Sequence, residues 1–103
     1  MPSKSLFKIH VSNMCSTRGN LIPNQFELWG RDHNGKEFRI FQSYSTTIAK
    51  IYEEYPNDKV FLDINHWQYS TTTGKYRNIF LNEKKQDTLK KIKSGEYQLI
   101  NLN

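Results

Sequence analysis

The chain has one cysteine, three prolines and five glycines in 103 residues. Cys15 has no second thiol to pair with, so an internal disulfide is excluded and a reducing compartment is expected. No apolar run approaches the length of a membrane span. The start, Met1-Pro2-Ser3-Lys4, is not followed by the apolar stretch of a secretory signal. These features predict a cytoplasmic protein.

The usual chemical scaffolds are missing too. There is no G-x-x-x-x-G-K-[ST], no G-x-G-x-x-G and no H-E-x-x-H. Cys15, His10, His33 and His66 do not fall at zinc-ligand spacing, so neither metal nor cofactor is expected. Asp58 and Asp63 lie near one strand but five residues apart, which puts them on opposite faces and not together on a magnesium ion. A thiol nucleophile would need Cys15 within reach of His10 or His66. A cysteine at a strand end is more often inert packing. The gaps favour a binding protein over an enzyme.

What is present suffices for a core. Hydrophobic residues make up 36% and aromatics 14%, enough for one compact domain over residues 1–103. A chain this short has a high surface-to-volume ratio, which makes homodimerisation a second way to bury apolar surface. The formal charge is +5, and it is unevenly placed. Residues 1–43 carry a net +3, residues 44–74 a net −2 and residues 75–103 a net +4. Positive ends around an acidic middle favour phosphate or an acidic protein surface as partner.

Periodicity predicts an α+β fold with a mostly antiparallel sheet of four to five strands and two to three helices on one face. Leu6–Val11, Ile22–Trp29 and Phe38–Gln42 alternate with period two and read as three meandering strands. Ser12–Asn20 reads as a polar loop. Asn34-Gly35 suits a two-residue type I′ hairpin turn. Ile48, Ile51, Tyr52 and Tyr55 fall at i, i+3, i+4 and i+7, which predicts a helix from Ser45 or Thr46 to Tyr55, ended by Pro56. Val60–Ile64 reads as a fourth strand. A helix through Arg77 and Phe80, capped by Ser70, Thr72 or Thr73, is expected next. A second helix over Lys84–Lys93 would turn Leu89 and Ile92 inward and end at Gly95. Tyr97 and Leu99 make the last strand.

Two stretches could bind. In Trp67–Leu81, Trp67, Tyr69, Tyr76, Lys75, Arg77 and Asn78 interleave rings, cations and an amide. Rings stack on unpaired bases, cations hold phosphates and Asn reads base edges. The same residue types anchor protein interfaces. Against this, Trp67, Tyr76 and Phe80 equally suit a core. The second stretch holds Lys84, Lys85, Lys90, Lys91 and Lys93, which suit non-specific phosphate contacts. The loop around Arg18 is a third candidate.

These residues also carry a resemblance. Asn20–Phe26, Phe41-Gln42-Ser43-Tyr44, Ile48-Ala49, Leu62-Asp63, the run W-x-Y-S-x-T-T-G-K-Y-R-N-x-F-L from Trp67 to Leu81, and Ser94-Gly95-Glu96-Tyr97 resemble small proteins encoded by phages and mobile elements of Gram-positive bacteria. The resemblance spans roughly residues 16–102 and carries over no catalytic residue. It implies an accessory protein acting in the cytoplasm of a bacterial host. The leading expectation is stoichiometric inhibition of a host defence nuclease complex, as anti-CRISPR proteins do, with an effector protein or ribonucleoprotein as partner. The alternative is direct binding of DNA or RNA.

Overall fold

The structure, a computed structural model, describes residues 9–103. The expected first strand therefore falls partly outside the described residues, at 6–8. Six strands form one sheet in sequence order: β1 (Ile9–Cys15), β2 (Leu21–Arg31), β3 (Glu37–Ser43), β4 (Thr46–Tyr52), β5 (Lys59–Asp63) and β6 (Tyr97–Ile100). The first five make an antiparallel meander. β6 pairs parallel to β5, after a crossover through α1 (Thr71–Leu81) and α2 (Lys85–Ser94). No helix among the described residues is long and apolar enough to cross a membrane.

The helix expected over 46–55 is strand β4. Thr46, Thr47, Ile48, Ile51 and Tyr52 are β-branched or aromatic, and such side chains pack on a pleated surface better than around a helix. The helical spacing arose from a bulge. Ala49 pairs with Phe41 but Thr47 pairs with Gln42, which leaves Ile48 as an extra residue. The bulge lets consecutive residues Ile48 and Ala49 both be buried, with Ile51 two positions on. The sheet thus gains a sixth strand beyond the four to five expected, and the fold has two helices, the lower of the two to three expected.

Both early turns are three-residue hairpin loops. Thr17-Arg18-Gly19 is closed by Ser16 N–H to the Asn20 carbonyl, with Gly19 at φ +84°. His33-Asn34-Gly35 is closed by Asp32 N–H to the Lys36 carbonyl, with Gly35 at φ +81°. Each is a turn followed by one left-handed residue, which glycine adopts without a Cβ clash. The two-residue turn expected at Asn34-Gly35 is therefore one residue longer. Its geometry is set by the Asp32 carboxylate, which accepts from the Asn34 and Lys36 amides.

The core lies between one sheet face and the helices. Phe41, Ala49, Leu62 and Leu99 stand in one row across β3 to β6, and Arg39, Ile51, Val60 and Tyr97 in the next. Phe80 of α1 packs on Phe41 with ring centroids 5.9 Å apart, and Trp67 and Tyr76 join the same cluster. α1 starts at Ser70, whose hydroxyl accepts from the Thr73 amide, and ends at left-handed Asn82. In α2 the fully buried position is Thr88, while Leu89 is exposed and Ile92 half-buried. Ile92 packs against the core as expected, whereas Leu89 is exposed and the inward position beside it is taken by Thr88, whose hydroxyl donates to Glu83 at 2.5 Å. The other sheet face, with Ile40, Tyr52 and Phe61, carries neither helix.

Candidate nucleic-acid interface

The Trp67–Leu81 stretch divides into an inner and an outer set. Trp67 and Tyr76 are buried in the core cluster. Arg77 is only 1% exposed. Its Nη1 donates to the Trp67 carbonyl at 2.6 Å and its Nη2 to Asn78 Oδ1 at 3.0 Å. The guanidinium carbon stands 5.2 Å from the centre of the Trp67 ring. Arg77 and Asn78 therefore spend their polar groups on the fold, locking the Trp67 segment to α1. Burial lowers the Arg77 pKa, and the more distant Glu83 charge opposes the shift. A carbonyl, an amide oxygen and a ring surround the charge, with no carboxylate among its hydrogen-bond partners.

The outer set is Tyr69 and Lys75. Tyr69 is 66% exposed, its ring edge-on to His66 at 5.7 Å. Lys75 is exposed on α1, its ammonium 5.5 Å from the Tyr76 ring centre.

The lysine cluster divides in the same way. Lys91 is tied inward: its ammonium donates to Glu83 at 2.8 Å and stands 5.3 Å from the Tyr97 ring centre. The Tyr97 hydroxyl and the Thr88 hydroxyl donate to the same carboxylate. Burial alone would raise the Glu83 pKa, but the bonds from Lys91, Thr88 and Tyr97 hold it below the usual carboxylate range. The bond to Glu83 pushes Lys91 well above its ordinary value. Burial and the bond to Glu83 push Tyr97 up to about 12. Glu83 is thus the hub joining the α1–α2 link to β6, a role that no local sequence signal marks.

Lys84, Lys85, Lys90 and Lys93 are exposed. With Lys75 they give the helical layer five cations that make no ion pair among the described residues. The exposed acids of that layer are Asp87 and Glu96. Lys84 occupies the N-cap of α2 without a side-chain cap bond. A cation there opposes the helix dipole and replaces a residue that would cap. Arg18 is exposed at the tip of the β1–β2 hairpin, which is closed by backbone bonds and by the Ser16 hydroxyl.

The remaining candidates are dispersed. His10 stacks on Trp29 at 5.4 Å, and His66 bonds the buried Asp63 at 2.6 Å. The Cys15 thiol is exposed and its hydrogen-bond contact is the Asn13 carbonyl, 3.9 Å away. Among the described residues, no group of three or more His, Cys, Asp or Glu side chains is placed to hold a metal ion.

These features define a class: a small α+β domain with a meander sheet and a lysine-bearing helical layer on one face. The chain belongs to the family of unknown function DUF8033, whose model matches residues 9–97. No curated protein and no solved structure matches the chain.

Proposed function

We propose that this protein acts by binding, and that the outer face of its helical layer holds the phosphate backbone of a nucleic acid. One observation carries the reading: Lys75, Lys84, Lys85, Lys90 and Lys93 are exposed and without ion pairs among the described residues. Lysines are flexible point charges, suited to phosphates and poorly suited to reading base edges. The residues best suited to base reading, Arg77 and Asn78, are engaged inside the fold. The binding is therefore general for sequence, and exposed Tyr69 offers one ring for stacking on an unpaired base.

Electrophoretic or anisotropy titrations against single-stranded and duplex DNA and RNA, at several salt concentrations, test this. Affinity should fall steeply with salt, with a log–log slope of about −3 to −5 for the lysines in contact. Replacing Lys85, Lys90 and Lys93 by Glu should abolish binding while leaving the melting temperature nearly unchanged. Absence of binding at low salt would remove the reading.

A second reading is favoured by the resemblance to mobile-element proteins. In it the chain inhibits a host defence nuclease complex stoichiometrically, with the basic layer seated on the RNA or an acidic protein surface of that complex. A tight complex that survives nuclease treatment would select this reading. Loss of the complex on nuclease treatment would select direct nucleic-acid binding. Either reading places the protein in the cytoplasm of the bacterial host.

A further inference from the structure

The lysine layer is one surface of the molecule, and a groove of about 1070 Å³ beside it has the opposite character. It lies between β1 and the last turn of α1, and its floor crosses the sheet to β6. Met14, Val60, Ile79 and Leu81 supply apolar surface. The charged residues lining it are Glu27, Asp58 and Glu96 against Arg39. Arg39 is already held by Glu27 at 3.6 Å and by Glu53 at 3.2 Å, so its charge is spent within the fold. Asp58 and Glu96 are exposed and make no ion pair among the described residues. On a chain of formal charge +5, this groove carries a local excess of two negative charges.

We propose that this groove is a docking site for a basic segment of a partner protein, one that alternates lysine or arginine with large apolar side chains. The apolar residues would lie on Val60, Ile79 and Leu81, and the cations would meet Asp58 and Glu96. Three features choose this occupant. The acids repel nucleic acid, so the groove is not an extension of the lysine layer. They would likewise be poor hosts for an acidic segment. Exposed Ile79 and half-buried Met14 and Leu81 leave apolar surface at the groove for an anchor to cover. The proposal stands independently of the nucleic-acid reading, because none of the five exposed lysines lines the groove.

The test is an amide-shift NMR titration of the full chain with three capped synthetic peptides. The first alternates Lys with Leu and Phe, the second replaces Lys by Glu, and the third replaces Leu and Phe by Ser. The first peptide should shift the amides of Met14, Val60, Ile79, Leu81 and Glu96 and saturate, and the other two should not. Asp58→Lys with Glu96→Lys should weaken the first peptide about tenfold, with an unchanged melting temperature and undiminished nucleic-acid binding. Asp58→Asn with Glu96→Gln gives a milder form of the same test should the charge reversal disturb folding. The proposal is overturned if the first peptide leaves those amides unmoved or if the Glu peptide binds equally well. Undiminished peptide binding by the charge variants would also overturn it. So would concentration-dependent shifts of the groove amides in the protein alone, which would put a second copy there.

Discussion

Arg77 is held by a carbonyl, an amide oxygen and a ring, with no carboxylate against it. Its Nε is buried without a partner. Truncation would remove the packing on Trp67 and orphan the Trp67 carbonyl. Arg77→Ala should therefore cost about 2–4 kcal/mol in urea denaturation. Arg77→Met should cost less, because it keeps the apolar volume and removes a charge that burial disfavours. An unchanged urea midpoint for Arg77→Ala would show that the site is not structural. Two buried carboxylates set the acid limit. Burial alone would raise Asp63, but bonds from the Leu102 amide, His66, Asn103 and the Asn65 amide hold it below the usual range, as happens for Glu83. Unfolded Asp and Glu titrate near about pH 4. Both contributions are thus fully present above that value and are lost as pH falls through the lower folded values. Stability should decline as pH is lowered from about 5 towards 2. Asp63→Asn or Glu83→Gln should flatten that decline in a pH series of denaturant melts. The sequence marked Arg77 as chemically unusual and could not place it. A cation beside aromatics has the same local pattern whether the rings are core or interface.

At the level of elements, the clearest trade between stability and use is the start of α2. Lys84 sits where Ser or Asp would cap, and Lys85 follows it. Lys84→Asp should stabilise the fold by about 1 kcal/mol, read from thermal or urea melts, by capping and by matching the helix dipole. The same change should weaken nucleic-acid binding. Increased stability with undiminished affinity would exclude Lys84 from the interface. Most elements were legible locally. Period-two alternation located β2, β3 and β5, and the hydroxyls before Gly74 located the start of α1. β4 was hidden because its bulge at Ile48 shifts the phase of burial and copies a helical stripe. The loop at Asn34-Gly35 was one residue longer than its dipeptide signal suggests, and the polar loop read over Ser12–Asn20 shrank to Thr17-Arg18-Gly19 as β1 runs to Cys15. Asp32 and Ser16 organise the two turns through side-chain bonds.

For the molecule as a whole, charge is segregated more sharply than along the chain. The sequence places positive charge in residues 75–103, but folding removes Arg77 and Lys91 from that account and leaves the rest on one layer. The groove could not be read from the sequence. Glu27, Asp58 and Glu96 come from three distant stretches that meet only once the sheet and the crossover are in place. On the proposed reading, a polyanion approaching the lysines would be turned away from the groove, leaving both surfaces open to occupation at once.

The parallel β5–β6 pair also bears on how the chain acquires its structure during synthesis. The Leu102 amide donates to Asp63 at 2.7 Å, and the Asn103 side chain both donates to and accepts from the Thr47 backbone. Strands β1 to β5 meet neighbours already made, and so can assemble as they leave the ribosome. Asp63 then lies on the open edge of β5, without the Leu102 amide, until β6 and residues 101–103 arrive. The meander is thus left with an unpaired β5 edge, which β6 closes and which Leu102 and Asn103 fasten to Asp63 and Thr47.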